Sequence, residues 1–125
     1  MIIKRDKDII LSYFSDHSWL PCGNADAVYF PENTDDVCAI LKECNINKTS
    51  VTISGAGTGV LGGRIPHNGI VISTEKLNHI DEFNKQEKTI SVGAGATLEE
   101  INFKLWDCGY FFPPNPTEQT ATIGG

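Results

Sequence analysis

Long apolar runs are missing from these 125 residues: no stretch of about eighteen apolar residues offers a membrane span. The start is equally unlike a secretory leader, because Lys4, Arg5, Asp6 and Lys7 precede only a short Ile9–Leu11 patch. Cysteine is sparse. Cys22, Cys38, Cys44 and Cys108 form no Cys-x-x-Cys pair and stand beside no histidine at zinc-ligand spacing, so they read as reduced thiols and no metal is expected. Without an export signal, Asn47-Lys48-Thr49 reads as a plain loop rather than a glycosylation site, and the cytoplasm is the expected compartment. Basic charge is also short: 10 Lys+Arg against 16 Asp+Glu leave a net charge of −6, a field that repels nucleic acid and anionic membrane. What is present is ordinary for one globular domain, with 40% apolar and 21% charged residues, so disorder and collagen-like structure are excluded.

Periodicity and capping residues predict the elements. Asp6 caps a first helix with a stripe of Ile9, Ile10, Tyr13 and Phe14, and Ser15–Asn24 reads as loop around Pro21 and Gly23. Ala27–Phe30 is a strand stopped by Pro31. A helix capped by Asn33 or Thr34 then carries Val37, Ile40, Leu41 and Cys44 on one face. Val51–Ser54 is the next strand, and a crossover of this length implies a right-handed unit with parallel strands. Gly69–Ser73 is another strand, and His79–Phe83 with Thr89–Val92 predicts a hairpin. Thr97 and Glu100 form a capping box for a helix lined by Leu98, Ile101 and Leu105, with Gly109 as its left-handed cap. Tyr110–Pro116 is extended and rigid. The fold class is α+β: a small mixed or parallel sheet flanked by helices, with residues 1–26 as an N-terminal helix and loop ahead of residues 27–125.

Glycine is concentrated between Gly55 and Gly95, where backbone does what side chains cannot. Gly57-Thr58-Gly59-Val60-Leu61-Gly62 matches the G-x-G-x-x-G dinucleotide fingerprint. That fingerprint must open a helix, however, and Gly62, Gly63, Pro66, Asn68 and Gly69 break any helix here. A phosphate loop of the G-x-x-x-x-G-K type also fails, because Gly63 stands where the lysine belongs. What survives is a glycine turn between two strands, uncharged from Val51 to Gly63. It reads either as an anion nest suited to a pyrophosphate or as a structural loop of tight turns. Tyr110-Phe111-Phe112-Pro113-Pro114 offers a stiff planar wall, either for a flat heteroaromatic ring or for the core, and Thr117, Thr120 and Thr122 offer hydroxyls.

Taken together, Val28–Pro31, Ile53–Gly63, Ile70–Ser73, Val92-Gly93-Ala94-Gly95, Pro113–Pro116 and Ala121-Thr122-Ile123-Gly124-Gly125 resemble, in order and spacing, a known flavoprotein domain. It is the FAD-binding domain of the vanillyl-alcohol oxidase and p-cresol methylhydroxylase (PCMH-type) superfamily, in the branch of glycolate oxidase FAD subunits and D-lactate dehydrogenases. The resemblance runs from about Ala27 to Gly125. It implies that Gly55, Ala56, Gly57, Thr58 and Gly59, with Gly63 and Arg64 at the loop exit, hold the FAD pyrophosphate. It also implies that the segment containing Pro114, Thr117, Ala121, Thr122, Gly124 and Gly125 runs beside the flavin. Members that attach flavin covalently through this loop carry histidine about where Thr58 stands, so noncovalent FAD is implied. Ser54 and Asn115 depart from an arginine and an aspartate frequent in the family, which bears on affinity and redox tuning.

The same resemblance implies that relatives continue past Gly125 with the rest of the flavin domain and a substrate domain. The chain is therefore expected to be the N-terminal part of an enzyme and inactive alone. The complete enzyme would move hydride from a small 2-hydroxy acid to flavin and pass electrons to an acceptor left open. No residue here takes a catalytic role, and His17, His67 and His79 read as surface or structural. Two alternatives stand beside it: a non-catalytic nucleotide-binding or interaction module, and a flavin reductase of the UDP-N-acetylenolpyruvoylglucosamine reductase type. The latter typically carries a Gly-Ser-Asn signature that Gly57-Thr58-Gly59 lacks.

Overall fold

In a computed structural model describing residues 1–125, the chain forms strand β1 (Ile2–Lys4) and helix α1 (Lys7–Ile10), which runs into a 3-10 segment (Leu11–Phe14). Strand β2 (Ala27–Phe30), helix α2 (Thr34–Asn47), strands β3 (Val51–Ser54) and β4 (Ile70–Ser73), and helix α3 (Leu98–Trp106) follow. The strands make one mixed sheet in the order β1-β2-β4-β3, with β1 antiparallel to β2 and the other pairs parallel. The α+β expectation of a small mixed sheet flanked by helices holds.

Residue-by-residue alternation sends side chains to the two faces of the sheet. Val28, Phe30 and Val71 pack with Ile10, Phe14 and Ala25 on one face, while Ala27, Ile70 and Ile72 pack with Ile40 and Cys44 of α2 on the other. A buried Val, Ile or Phe is worth roughly 1.5–3 kcal/mol, so these two layers hold β4 at the centre. A smaller cluster, Ala96, Ile101 and Leu105, sits under α3 with Ile80, Val92 and Phe112 against it.

Local chemistry sets the helix ends. Asn33 Oδ1 accepts the Asp36 N–H at 2.9 Å to start α2. At its far end Lys48, at φ 55°, takes the left-handed cap while Thr49 N–H donates to the Cys44 carbonyl at 2.8 Å. The capping box at α3 is complete, with Thr97 Oγ1 accepting Glu100 N–H and Glu100 Oε2 accepting Thr97 N–H. Beyond α3, Gly109 at φ 78° and the Tyr110 N–H to Leu105 carbonyl bond at 3.0 Å close the same kind of cap.

Three expectations need correction. The stretch 1–26 is not helix and loop alone, since it also supplies β1; and its helix is one α turn followed by a 3-10 segment, with Ile9 exposed. The strands β2 and β3 run parallel as expected, with β4 between them. The hairpin segments do pair antiparallel, but only as isolated bridges, Ile80 with Val92 and Asn84 with Thr89, because the register slips by one residue between the two and interrupts the ladder.

Candidate functional site

The parallel strands β3 and β4 end side by side at the buried Ser54 and Ser73, and the chain leaves β3 directly into the glycine loop. Crevices outside the carboxyl ends of parallel strands are where α/β sheets bind ligands. The second glycine turn packs onto this edge: Gly95 N–H donates to the Leu77 carbonyl at 2.9 Å, and a Cβ at Gly95 would collide with the Thr74 backbone. The tail then crosses the second turn, with Ile123 N–H to Ala96 carbonyl and Gly124 N–H to Ala94 carbonyl both at 2.9 Å. This brings Gly125 against Gly55, with Thr122 Oγ1 beside both.

Two clefts flank the junction. One, of about 390 Å³, is lined by the loop from Gly55 to Leu61 together with Gly63, Arg64, Thr122 and Gly125. The other, of about 470 Å³, shares Gly55, Ala56, Arg64 and Thr122 and extends to Tyr13, Glu75 and Asn78. No backbone N–H from Gly55 to Leu61 donates to any protein acceptor. The next amide, Gly62 N–H, donates to Asp16 Oδ2 at 2.9 Å. The loop is half-buried or exposed, so its consecutive free donors face the cleft and solvent, where a run of amides can meet an anion.

Arg64 is the cation of the site. Its Nη2 donates to the Ser12 carbonyl at 3.0 Å, its guanidinium lies 5.3 Å from the centre of the Tyr13 ring, and it packs so closely over Gly57 that a Cβ there would overlap it. Burial lowers the Arg64 pKa, opposed by Tyr13, Asp16 and Glu75. Burial pushes the Tyr13 hydroxyl up to about 12, helped by its hydrogen bond to Glu75 Oε2 at 2.9 Å. The Asp16 carboxyl is held below its ordinary value, first by the hydrogen bonds from Ser18, then by the Gly62 amide and Arg64. Arg64 Nε and Thr122 Oγ1 are buried and have no hydrogen-bond partner in the protein. Each such orphan costs about 1–3 kcal/mol, which a ligand carrying acceptor oxygens would relieve. Free amides, a guanidinium and orphaned polar atoms at one junction fit a dinucleotide diphosphate such as that of FAD.

Residues 25–125 match the FAD binding domain family. The chain belongs to that family. It is 41% identical to D-lactate dehydrogenase of Archaeoglobus fulgidus over 96 residues, 76% of this chain and 21% of that protein. It is 32% identical to glycolate oxidase subunit GlcD of Bacillus subtilis over 102 residues, 80% of this chain and 22% of that one. The chain thus spans about a fifth of the length of these curated relatives. Among solved structures, alkyldihydroxyacetonephosphate synthase superposes with a TM-score of 0.87 at 16% identity, covering 98% of this chain and 25% of that one. A BBE-like 1 variant of Physcomitrella patens gives 0.79 at 19%, covering 98% and 27%. These likenesses establish the fold of an FAD-binding domain.

Of the residues singled out from sequence, Gly55, Ala56, Gly57, Thr58, Gly59, Gly63, Arg64, Thr122 and Gly125 come together at the clefts. Ala121 and Gly124 lie behind them, tied by backbone to Leu98 and Ala94. Pro114 and Thr117 are exposed and line neither cleft, and Phe111, Phe112 and Pro113 instead border a separate groove with Asn102 and Trp106. Sequence reasoning missed Tyr13, Asp16 and Glu75. They carry no motif and reach the loop only through the tertiary fold.

No helix is long and apolar enough to cross a membrane, and no cluster of metal-ligating side chains is present.

Proposed function

We propose that the chain is the N-terminal flavin-binding portion of a cytoplasmic FAD-dependent oxidoreductase that oxidises a small 2-hydroxy acid such as D-lactate or glycolate. The observation that carries this reading is the unbroken series of unpaired backbone amides from Gly55 to Leu61 beside Arg64. The names of the relatives, D-lactate dehydrogenase and glycolate oxidase subunit, support the substrate class. In this reading residues 27–125 are the first part of the flavin domain, and the substrate domain and the route to the electron acceptor belong to the remaining polypeptide.

The amides of Gly55–Gly59 would hold the diphosphate, Arg64 would supply the opposing positive charge, and glycine keeps the backbone close enough to do so. Thr122 and Gly125, which line the same cleft, would bound it on the side of the tail. FAD supplies a hydride acceptor. The chain's own contribution is to bind and orient that cofactor and to exclude water along the loop; none of its residues takes a catalytic role. Thr58 places no imidazole on the loop, so binding is noncovalent.

Titration of the purified chain with FAD, followed by quenching of flavin fluorescence, tests the cofactor reading. Saturable binding that is lost in Arg64→Met and released intact by acid precipitation is expected. Binding unaffected by Arg64→Met would refute the placement of the diphosphate, and flavin that stays with the precipitate would refute noncovalent attachment. The polypeptide extended to the length of its relatives should reduce an artificial acceptor with D-lactate or glycolate.

A further inference from the structure

Two carboxylates stand near Arg64, yet neither forms an ion pair with it: the salt bridges of the protein are Met1–Glu32, Lys76–Glu32 and Lys104–Glu82. Each carboxylate is held by another donor. Glu75 Oε2 accepts the Tyr13 hydroxyl at 2.9 Å. Asp16 accepts the Gly62 N–H at 2.9 Å through Oδ2 and the Ser18 N–H at 2.9 Å through Oδ1. The ring that presents the Tyr13 hydroxyl is itself fixed, edge-on to Phe30 with centroids 5.7 Å apart and beneath the guanidinium. In a chain with net charge −6, a cation that must meet an anionic ligand competes with its own acidic neighbours.

We propose that Tyr13 is a positioning residue that keeps Arg64 available to the bound anion, by stacking beneath its guanidinium and by holding Glu75 away from it through the hydroxyl. Asp16 is restrained in the same manner by the Gly62 and Ser18 amides, and its grip on Gly62 fixes the turn at the end of the free-amide series. The inference rests on the diphosphate reading given above, because it concerns the same guanidinium. It adds a residue from the first helical segment, far in sequence from the glycine loop, to the determinants of affinity. It also assigns the hydroxyl, rather than the ring, the electrostatic role.

The test is a double-mutant cycle on the full chain with FAD as the probe. Tyr13→Phe keeps the ring, its packing on Phe30 and its place under Arg64, and it frees the Glu75 carboxylate. FAD affinity is expected to fall about threefold to fivefold, the scale of one partly exposed ion pair formed in competition. Glu75→Gln alone should leave affinity unchanged or slightly raised, and the Tyr13→Phe/Glu75→Gln double variant should regain the affinity of the parent. A purely structural tyrosine would not be rescued by removing a charge. A second readout needs no cofactor: solvent exchange of the Arg64 Nε proton, followed by NMR, should slow severalfold in Tyr13→Phe and return in the double variant. Unchanged affinity and exchange in Tyr13→Phe, or a loss that the double variant fails to reverse, overturns the inference. Binding insensitive to Arg64→Met overturns instead the diphosphate reading beneath it, so the two failures are distinguishable.

Discussion

Alanine at position 57 puts the closest demand on the loop. Gly57 has φ 78°, a region where a residue with a Cβ pays roughly 1–2 kcal/mol. The new methyl would also overlap the Arg64 guanidinium, forcing it off the Tyr13 ring and the Ser12 carbonyl. A cation–π contact near the surface is worth about 0.5–1 kcal/mol. With the charged hydrogen bond partly replaced by water, the total destabilisation comes to about 2–3 kcal/mol. Unfolding entropy of about 2.1 cal/mol/K per residue makes this a fall in Tm of roughly 8–11 °C for a chain of this length. Gly63→Ala is the matched control in the same loop, since a Cβ there meets nothing within 4 Å and Gly63 lacks a positive φ. It should move Tm by no more than about 2 °C. Thermal unfolding followed by circular dichroism separates the two, and FAD titration should show at least a tenfold loss for Gly57→Ala, about 1.4 kcal/mol. Equal melting temperatures for the two variants would refute the argument that φ and guanidinium contact, rather than glycine content, make position 57 special.

Lys48→Gly should raise stability by about 0.5–1 kcal/mol, seen as a higher urea midpoint, because Lys48 sits at φ 55° in the α2 cap. Gly109→Ala, where no atom lies within 4 Å of the added Cβ, should lose about 1–2 kcal/mol by backbone strain alone. Ile72→Ala in the central strand, where Ile72 is 1% exposed, should cost about 2–5 kcal/mol in urea denaturation without changing the m-value. The Glu100 carboxyl is lowered by the Thr97 backbone N–H and then by its hydroxyl, so its stabilisation is present above the unfolded carboxylate pKa and fades as pH falls through the folded one. Melting curves between about pH 6 and pH 3 should show a shallower acid loss in Glu100→Gln than in the parent.

Features decided by neighbours in sequence were legible. The capping box at Thr97 and Glu100, the Asn33 cap and the glycine end of α3 each involve residues within a few positions, and all three are in place. Features decided across the sheet were not. The strand β1 is three residues, all exposed, so it carries no alternation to detect and exists only by pairing with β2. The insertion of β4 between β2 and β3 depends on which parallel edges meet, which crossover length alone does not set. The antiparallel pairing of the hairpin was legible but its continuous strands were not formed, because the register slips by one residue between the Ile80–Val92 and Asn84–Thr89 bridges. At the site, the glycine loop and Arg64 were visible as a motif, while the groups that hold Arg64 were not. Tyr13 and Asp16 lie 51 and 48 positions before it, and only the packing of the first segment under the sheet brings them to the loop.

The abutment of Gly55 and Gly125 carries an evolutionary consequence. A methyl at either would strike the backbone of the other or the hydroxyl of Thr122, so no single-step replacement at one site can be repaired by shortening a neighbour. Only a backbone displacement that parts the first loop from the tail makes room. The pair should therefore drift together or not at all, and a lineage that had lost both glycines would also have re-routed the chain where these segments cross.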